Sequence, residues 1–213
     1  MQENKMKLKV AVVGMVSTNC YVVANNQNNE IIIIDPGDDV EVINEHIDRM
    51  HGTVKGILLT HGHFDHIMAV NELAALHHVK VYAHSIEKDL LADPAINCSQ
   101  SIGRPYIVEL QETLEDNMTF TLAGFHIKVL HTPGHTSGSV CYLFEEEGVL
   151  FSGDTVFMES VGRTDLPTGN EGKLLASIQN KLVDLDDNIK VFPGHGPSTS
   201  IGYEKENNMY FGR

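Results

Sequence analysis

The chain has 213 residues, 42% hydrophobic and 21% charged, with 15 basic against 29 acidic side chains and a formal net charge of −14. That composition fits an ordinary globular protein with enough chain for a substantial core, so one domain spanning residues 1–213 is expected. The negative balance disfavours nucleic acid as a substrate because it repels phosphate, and no run approaches the ~20 apolar residues a membrane helix needs.

In chain order, Leu8–Val16 alternates imperfectly and reads as a strand, with Val10–Val16 expected to be buried. Cys20–Ala24 reads as a second strand, and Asn25–Asn29 as a turn. Glu30–Asp35 is a third strand, ending at Pro36-Gly37, so the last two should form a hairpin. Val40–His51 has helical spacing, with Val40, Ile43, Ile47 and Met50 on one face. Lys55–Thr60 is a strand, Ile67–Leu76 a helix with Ile67, Val70, Leu73 and Leu76 aligned, and Val79–Ala83 a strand. Ser85 is placed to cap a short helix reaching Leu91, and Ile96–Tyr106 reads as loop. The second half repeats the theme. Met118–Leu122, Phe125–Leu130, Val140–Phe144 and Val149–Ser152 are strands, Gly172–Leu185 is a helix, and Lys190–Phe192 is a strand. Strands, helix, then strand in each half predicts two βα halves packed sheet to sheet, with helices outside.

Three cysteines (Cys20, Cys98 and Cys141) without a CxxC spacing argue against a disulfide framework or a cysteine-based zinc site. They are expected to be free. The N-terminus lacks a signal-peptide layout, which predicts a cytoplasmic protein.

The chemistry concentrates in the histidines, of which there are twelve. In Thr60-His61-Gly62-His63-Phe64-Asp65-His66, a strand runs out just before a helix begins. Residues two apart in extended chain share a side, so His61 and His63 can reach one metal ion. Asp65 and His66, where the chain turns into the helix, can aim at another nearby. Gly62 leaves that turn unobstructed. Three more positions follow strand-like runs and have glycine beside them: His135 in Thr132-Pro133-Gly134-His135-Thr136, Asp154 in Ser152-Gly153-Asp154-Thr155, and His195 in Pro193-Gly194-His195-Gly196-Pro197. Loops at strand ends are common places for binding and catalytic residues.

His-x-His-x-Asp-His followed by an isolated His, Asp and His resembles the metallo-β-lactamase superfamily, over nearly the whole chain and including Ile34-Asp35-Pro36-Gly37. Within it, Val161-Gly162-Arg163-Thr164-Asp165-Leu166-Pro167 and Gly194-His195-Gly196-Pro197 are similar to the short, bacterial-type glyoxalase II-like (hydroxyacylglutathione hydrolase-like) proteins. The resemblance implies an α/β (α+β) fold, an αββα sandwich with its site at one end of the paired sheets. It also implies two divalent metal ions. His61, His63 and His135 would hold the first, Asp65, His66 and His195 the second, and Asp154 would bridge them. Zinc is the family's habit, though iron or manganese would suit the same donors.

The implied activity is hydrolysis of a small-molecule thioester, S-lactoylglutathione or a related acyl-thiol, with Asp65 and Asp154 as catalytic residues. Two alternatives stay open: a persulfide (sulfur) dioxygenase with a single iron, and a lactonase. Leu166-Pro167 after Asp165, where the dioxygenases carry Phe-Gln, favours the hydrolase. Asp154, where zinc β-lactamases usually carry cysteine, disfavours a β-lactamase. The chain ends 18 residues after His195, so no helical glutathione-binding extension is expected. Arg163 and Asp165 are expected to brace the site as a pair. Phe157 and Tyr106 are candidates for lining a pocket. His131 is a candidate support for the His135 loop, and His84 is expected either on the surface or at the pocket rim. Oligomeric state is left open.

Overall fold

Each half of the chain builds one six-stranded sheet, and the two sheets face each other. The structure is a computed structural model that describes residues 5–212. The first sheet contains β1 (Met6–Val13), β2 (Thr18–Asn25), β3 (Glu30–Ile34), β4 (Thr53–Leu58), β5 (Lys80–His84) and β6 (Glu112–Leu114), in that spatial order. The β1–β2–β3 meander is antiparallel, as the hairpin reading predicts, and β3 through β6 run parallel. Between these strands lie α1 (Val40–Met50), α2 (Phe64–Ile67), α3 (Val70–His77) and α4 (Lys88–Ala92).

The second sheet contains β7 (Thr119–Leu122), β8 (Phe125–His131), β9 (Val140–Phe144) and β10 (Val149–Gly153), followed by β13 (Lys190–Pro193) and β14 (Thr199–Ser200). A separate ribbon pairs β11 (Val156–Phe157) with β12 (Ser160–Val161). Helices α5 (Glu171–Ser177) and α6 (Ile201–Asn207) complete this half.

The Ile31–Ile34 run shows why the layers form. Side chains alternate across a strand, and this one has apolar partners on both sides. Ile31 and Ile33 join Ile43, Ile47, Val70 and Leu73 of the outer helices. Ile32 and Ile34 meet Phe125, Tyr142 and Phe144 of the opposing sheet. A third core lies beyond the second sheet, where Cys141, Leu143 and Leu150 pack on Leu174, Ile178 and Ile201. Three cores between four layers give the αββα sandwich. Among the described residues, no helix is long and apolar enough to cross a membrane.

Three expectations are corrected. The first strand stops at Val13, and Val10 and Val12 are 41% and 61% exposed rather than buried. β1 is a sheet edge, so nothing covers their side. The helix expected over Ile67–Leu76 is broken into α2 and α3, leaving Leu76 exposed. The Met68 and Ala69 amides donate to Gly37 and Pro36 carbonyls at 3.1 and 3.0 Å, so they are diverted from the helical ladder. The helix expected to run to Leu185 is α-helical only to Ser177, then widens into a π-turn through Leu182. The short elements β6, β11, β12, β14 and α6 were not anticipated from sequence.

Candidate metal centre

All seven candidate residues lie at one end of the facing sheets. His61 follows β4, His63 precedes α2, and Asp65 and His66 lie within it. His135 is in the loop after β8, Asp154 follows β10, and His195 follows β13. The His195 loop is tied to the first sheet, because the Asn19 side-chain amide donates to the Pro193 and Gly196 carbonyls at 3.0 and 2.9 Å. The ligand-type atoms form three close groups: His61 with His63 and His135, His61 with His66 and Asp154, and Asp65 with His66 and His195.

The surroundings of the histidines decide which nitrogen faces inward. His135 Nδ1 lies 2.7 Å from the Arg163 carbonyl and must donate to it, leaving Nε2 as a bare lone pair. Thr60 gives its hydroxyl proton to Asp35 Oδ2 at 2.6 Å. Its oxygen therefore accepts from His61 Nδ1 at 3.1 Å, which leaves His61 Nε2 bare. Those two bare atoms face each other at 3.2 Å, and His63 Nδ1 stands 2.9 Å from His135 Nε2. Lone pairs so placed repel unless a cation lies between them. A tetrahedral ion with bonds of about 2.0–2.1 Å holds its nitrogens roughly 3.3 Å apart, close to this spacing.

The other group mixes charges. His66 Nε2 lies 3.5 Å from Asp65 Oδ2 and 3.4 Å from Asp154 Oδ1. His195 Nε2 is 3.1 Å from Asp65 Oδ2 and 3.6 Å from Asp154 Oδ2, while His135 Nε2 is 3.5 Å from that same oxygen. Asp154 thus stands between the groups. Its Oδ1 and His66 Nε2 are buried without a hydrogen-bond partner, an arrangement that is costly unless a ligand satisfies them. The donor set and its orphaned atoms fit divalent cations.

Charge divides the groups further. Burial, then the neighbouring His66, His135 and His63 rings, pushes His61 well below its ordinary value. Burial, then His135, takes His63 to about 3. Burial also pulls His66 down, but Asp65, Asp154 and Asp35 outweigh it and hold it well above its ordinary value. Burial likewise pulls His195 down, and the hydrogen bond to Asp65 and the charge of Asp154 hold it above. Burial raises Asp65 and Asp154, yet the imidazoles facing them bring both below the usual carboxylate range.

Two supporting carboxylates were missed as functional residues. Asp35 is buried, with a left-handed φ of 51° that is uncommon for a non-glycine residue. It accepts from the Thr60 amide at 2.7 Å and the Thr60 hydroxyl, and its Oδ2 stands 3.0 Å from His66 Nδ1. It therefore supports both groups. Its place in Ile34-Asp35-Pro36-Gly37 was the available signal. Glu87 is fully buried. It accepts from the Gly62 amide at 2.8 Å, the Gly138 amide at 2.8 Å and the Thr136 hydroxyl at 2.7 Å, so it joins the His61–His63 loop to the His135 loop.

Gly62 acts by close packing rather than by an unusual turn: a Cβ there would meet Leu90 and Leu91 at 2.6 and 2.9 Å. A Cβ at Gly194 would lie 2.1 Å from Asp154 Oδ1. The other expectations divide. Arg163 and Asp165 do pair, but both are largely exposed, and it is the Arg163 carbonyl that touches His135. His131 accompanies the His135 loop through Nε2 and the Ser137 carbonyl at 3.0 Å, and stacks on the buried His84 at 4.2 Å. His84 is thus not on the rim. Phe157 lines the pocket, whereas Tyr106 packs against the outer-helix core. The cysteines are free.

The centre opens into a cavity of about 360 Å³ lined by Val16, Phe64, Phe157, Arg163 and Leu166 beside His63, Asp65, His135, Asp154 and His195. The Metallo-beta-lactamase superfamily description matches residues 13–195. The chain belongs to the metallo-beta-lactamase superfamily. The fold and resemblance expected from sequence are thereby borne out, and membership suggests a metal-dependent hydrolase. Relatives are similar over nearly their full lengths. A probable metallo-hydrolase (YqgX) of Bacillus subtilis is 36% identical, covering 96% of this chain and 97% of its own. The hydroxyacylglutathione hydrolase GloC of Haemophilus influenzae is 33% identical, covering 96% and 98%. Among solved structures, the B3 metallo-beta-lactamase BLEG-1 is 42% identical with a TM-score of 0.92, covering 96% of this chain and 99% of its own. TTHA1623 in a di-iron-bound form is 34% identical with a TM-score of 0.84, covering 95% and 99%.

Proposed function

We propose that the chain hydrolyses acyl thioesters with two divalent cations. His61, His63 and His135 would hold one, Asp65, His66 and His195 the other, and Asp154 would lie between them. Such cations supply Lewis acidity and acidify water enough to yield hydroxide near neutral pH. Asp65, with its Oδ2 steadied by the Thr18 hydroxyl at 3.3 Å, is a pocket-facing carboxylate that can orient the attacking water by accepting a hydrogen bond from it. Asp35 and the Arg163 carbonyl keep His66 and His135 aimed inward.

The observation that carries the thioester assignment is the pocket lining. Outside the cluster, its one titratable side chain is Arg163, whose pKa is too high for it to give up a proton. An amine leaving group needs a proton donor. A thiol, with an ordinary pKa of about 8.5, can depart as thiolate without one. The relationship to GloC, named as a hydroxyacylglutathione hydrolase, points the same way.

A second reading, β-lactam hydrolysis, is favoured by the likeness to BLEG-1. Protein purified without added metal, measured for metal content and then assayed with S-lactoylglutathione, simpler acyl thioesters and a chromogenic cephalosporin, separates the two. Two divalent ions per chain with thioester turnover is the expected result. Cephalosporin turnover without thioester turnover would replace the assignment, and a single iron with oxygen consumption would remove hydrolysis altogether. The donor set suits zinc and equally iron, which TTHA1623 holds in its di-iron-bound form; the content measurement decides.

A further inference from the structure

Beyond the cluster, the pocket wall is apolar: Val16 from the β1–β2 turn, Phe64 at the start of α2, Phe157 from β11 and Leu166. Its one lysine or arginine, Arg163, is not free. Nε and Nη2 donate to the two carboxylate oxygens of Asp165 at 2.7 and 2.8 Å, a two-pronged pair. An adjoining crevice, which shares Phe64 and Asp65 with the pocket, contains Arg104. That guanidinium is turned onto Asp38 in the same way, at 2.6 and 3.3 Å. The arginines of the pocket and of the crevice beside it are therefore each matched by one of the chain's own carboxylates, on a protein of net charge −14. An anionic group entering here finds no unengaged lysine or arginine on the wall, and approaches a chain whose overall charge repels it.

Resting on the thioesterase reading, we propose that the site prefers acyl thioesters whose thiol portion is uncharged and apolar over those of a thiol carrying several carboxylates, as glutathione does. The apolar thiol portion lies against Val16, Phe157 and Leu166, while the acyl carbonyl faces Asp65. The Arg163–Asp165 pair is exposed and so individually weak. An anion can compete for Arg163, and the preference is several-fold rather than absolute.

The test uses the metal-loaded full chain and one acyl group, lactoyl, on two thiols, butanethiol and glutathione. The butanethiol ester should show a kcat/KM at least fivefold above the glutathione ester at low salt. The gap should narrow as salt screens the repulsion. In D165N, which releases Arg163, the ratio should shift toward the glutathione ester at least threefold, through KM. Equal or better turnover of the glutathione ester by the unaltered protein overturns the proposal, as does an unchanged ratio in D165N. Hydrolysis of neither ester sinks the thioesterase reading, and this inference with it.

Discussion

The two halves of the metal centre use the same residue type in opposite ways. His61 and His63 sit among other imidazoles, well below their ordinary pKa values, and are neutral. His66 and His195 face Asp65 and Asp154 and are raised. Yet the rings of His61 and His66 are only 4.1 Å apart. Burial lowers the proton affinity of both rings alike, so what separates them is the carboxylates that His66 faces and His61 does not. His61 and His63 would thus accept a cation without losing a proton, whereas His66 and His195 would exchange protons for it.

The most damaging change should be Asp154→Ala, because Asp154 lies within 3.6 Å of both His135 and His195. Loss of several kcal/mol of charge stabilisation would lower kcat about 10³-fold. Metal content should fall below two per chain, as elemental analysis would read. Full loading with full turnover would mean that the two groups work independently.

The comparison is sharpened by pH. A raised pKa keeps His66 and His195 protonated to higher pH, so a cation there must displace protons, and its affinity falls as pH falls. His63, at about 3, imposes no such competition near neutrality. Lowering the pH from about 8 to about 5 should therefore release the second cation before the first. Metal titration in two buffers of different ionisation enthalpy should show more proton release for the second equivalent than for the first. Equal pH dependence for both equivalents would erase the distinction.

Asp35→Asn touches both groups, through Thr60 and His66, and should weaken metal affinity about 10–100-fold at each. Competition with a chelator measures this. Glu87→Gln has the smallest and most one-sided effect. Its amide leaves one buried donor facing another donor, at a cost of about 1–3 kcal/mol, seen as a lower Tm of the metal-free chain. The second cation should bind as before.

What was legible depended on how local the cause was. The His61–His66 spacing carries its chemistry in six consecutive positions, and Ile31–Ile34 can be explained only by two apolar neighbours. Val10 and Val12 were misread because edge position is a property of the sheet, not of the strand. The break at Met68–Ala69 comes from carbonyls of Pro36 and Gly37, some thirty residues earlier. Glu87 reads as a solvated acid on a short helix; only the fold brings Gly62, Thr136 and Gly138 to it. The candidate site was legible where its residues are of ligand type at close spacing, and unreadable where support comes from another part of the chain.

The candidate ligands come from both sheets, and Asp65 and His195, in contact, are 130 residues apart. A cation seated among them would act as a clasp across the open end of the sandwich, closing a loop of most of the chain. It could seat only after both sheets had come together, and would then add its binding energy to the folded state. The clasp ties survival to supply: where divalent cations are scarce, the sheets would part first at this end, and the chain would be cut by proteases soonest.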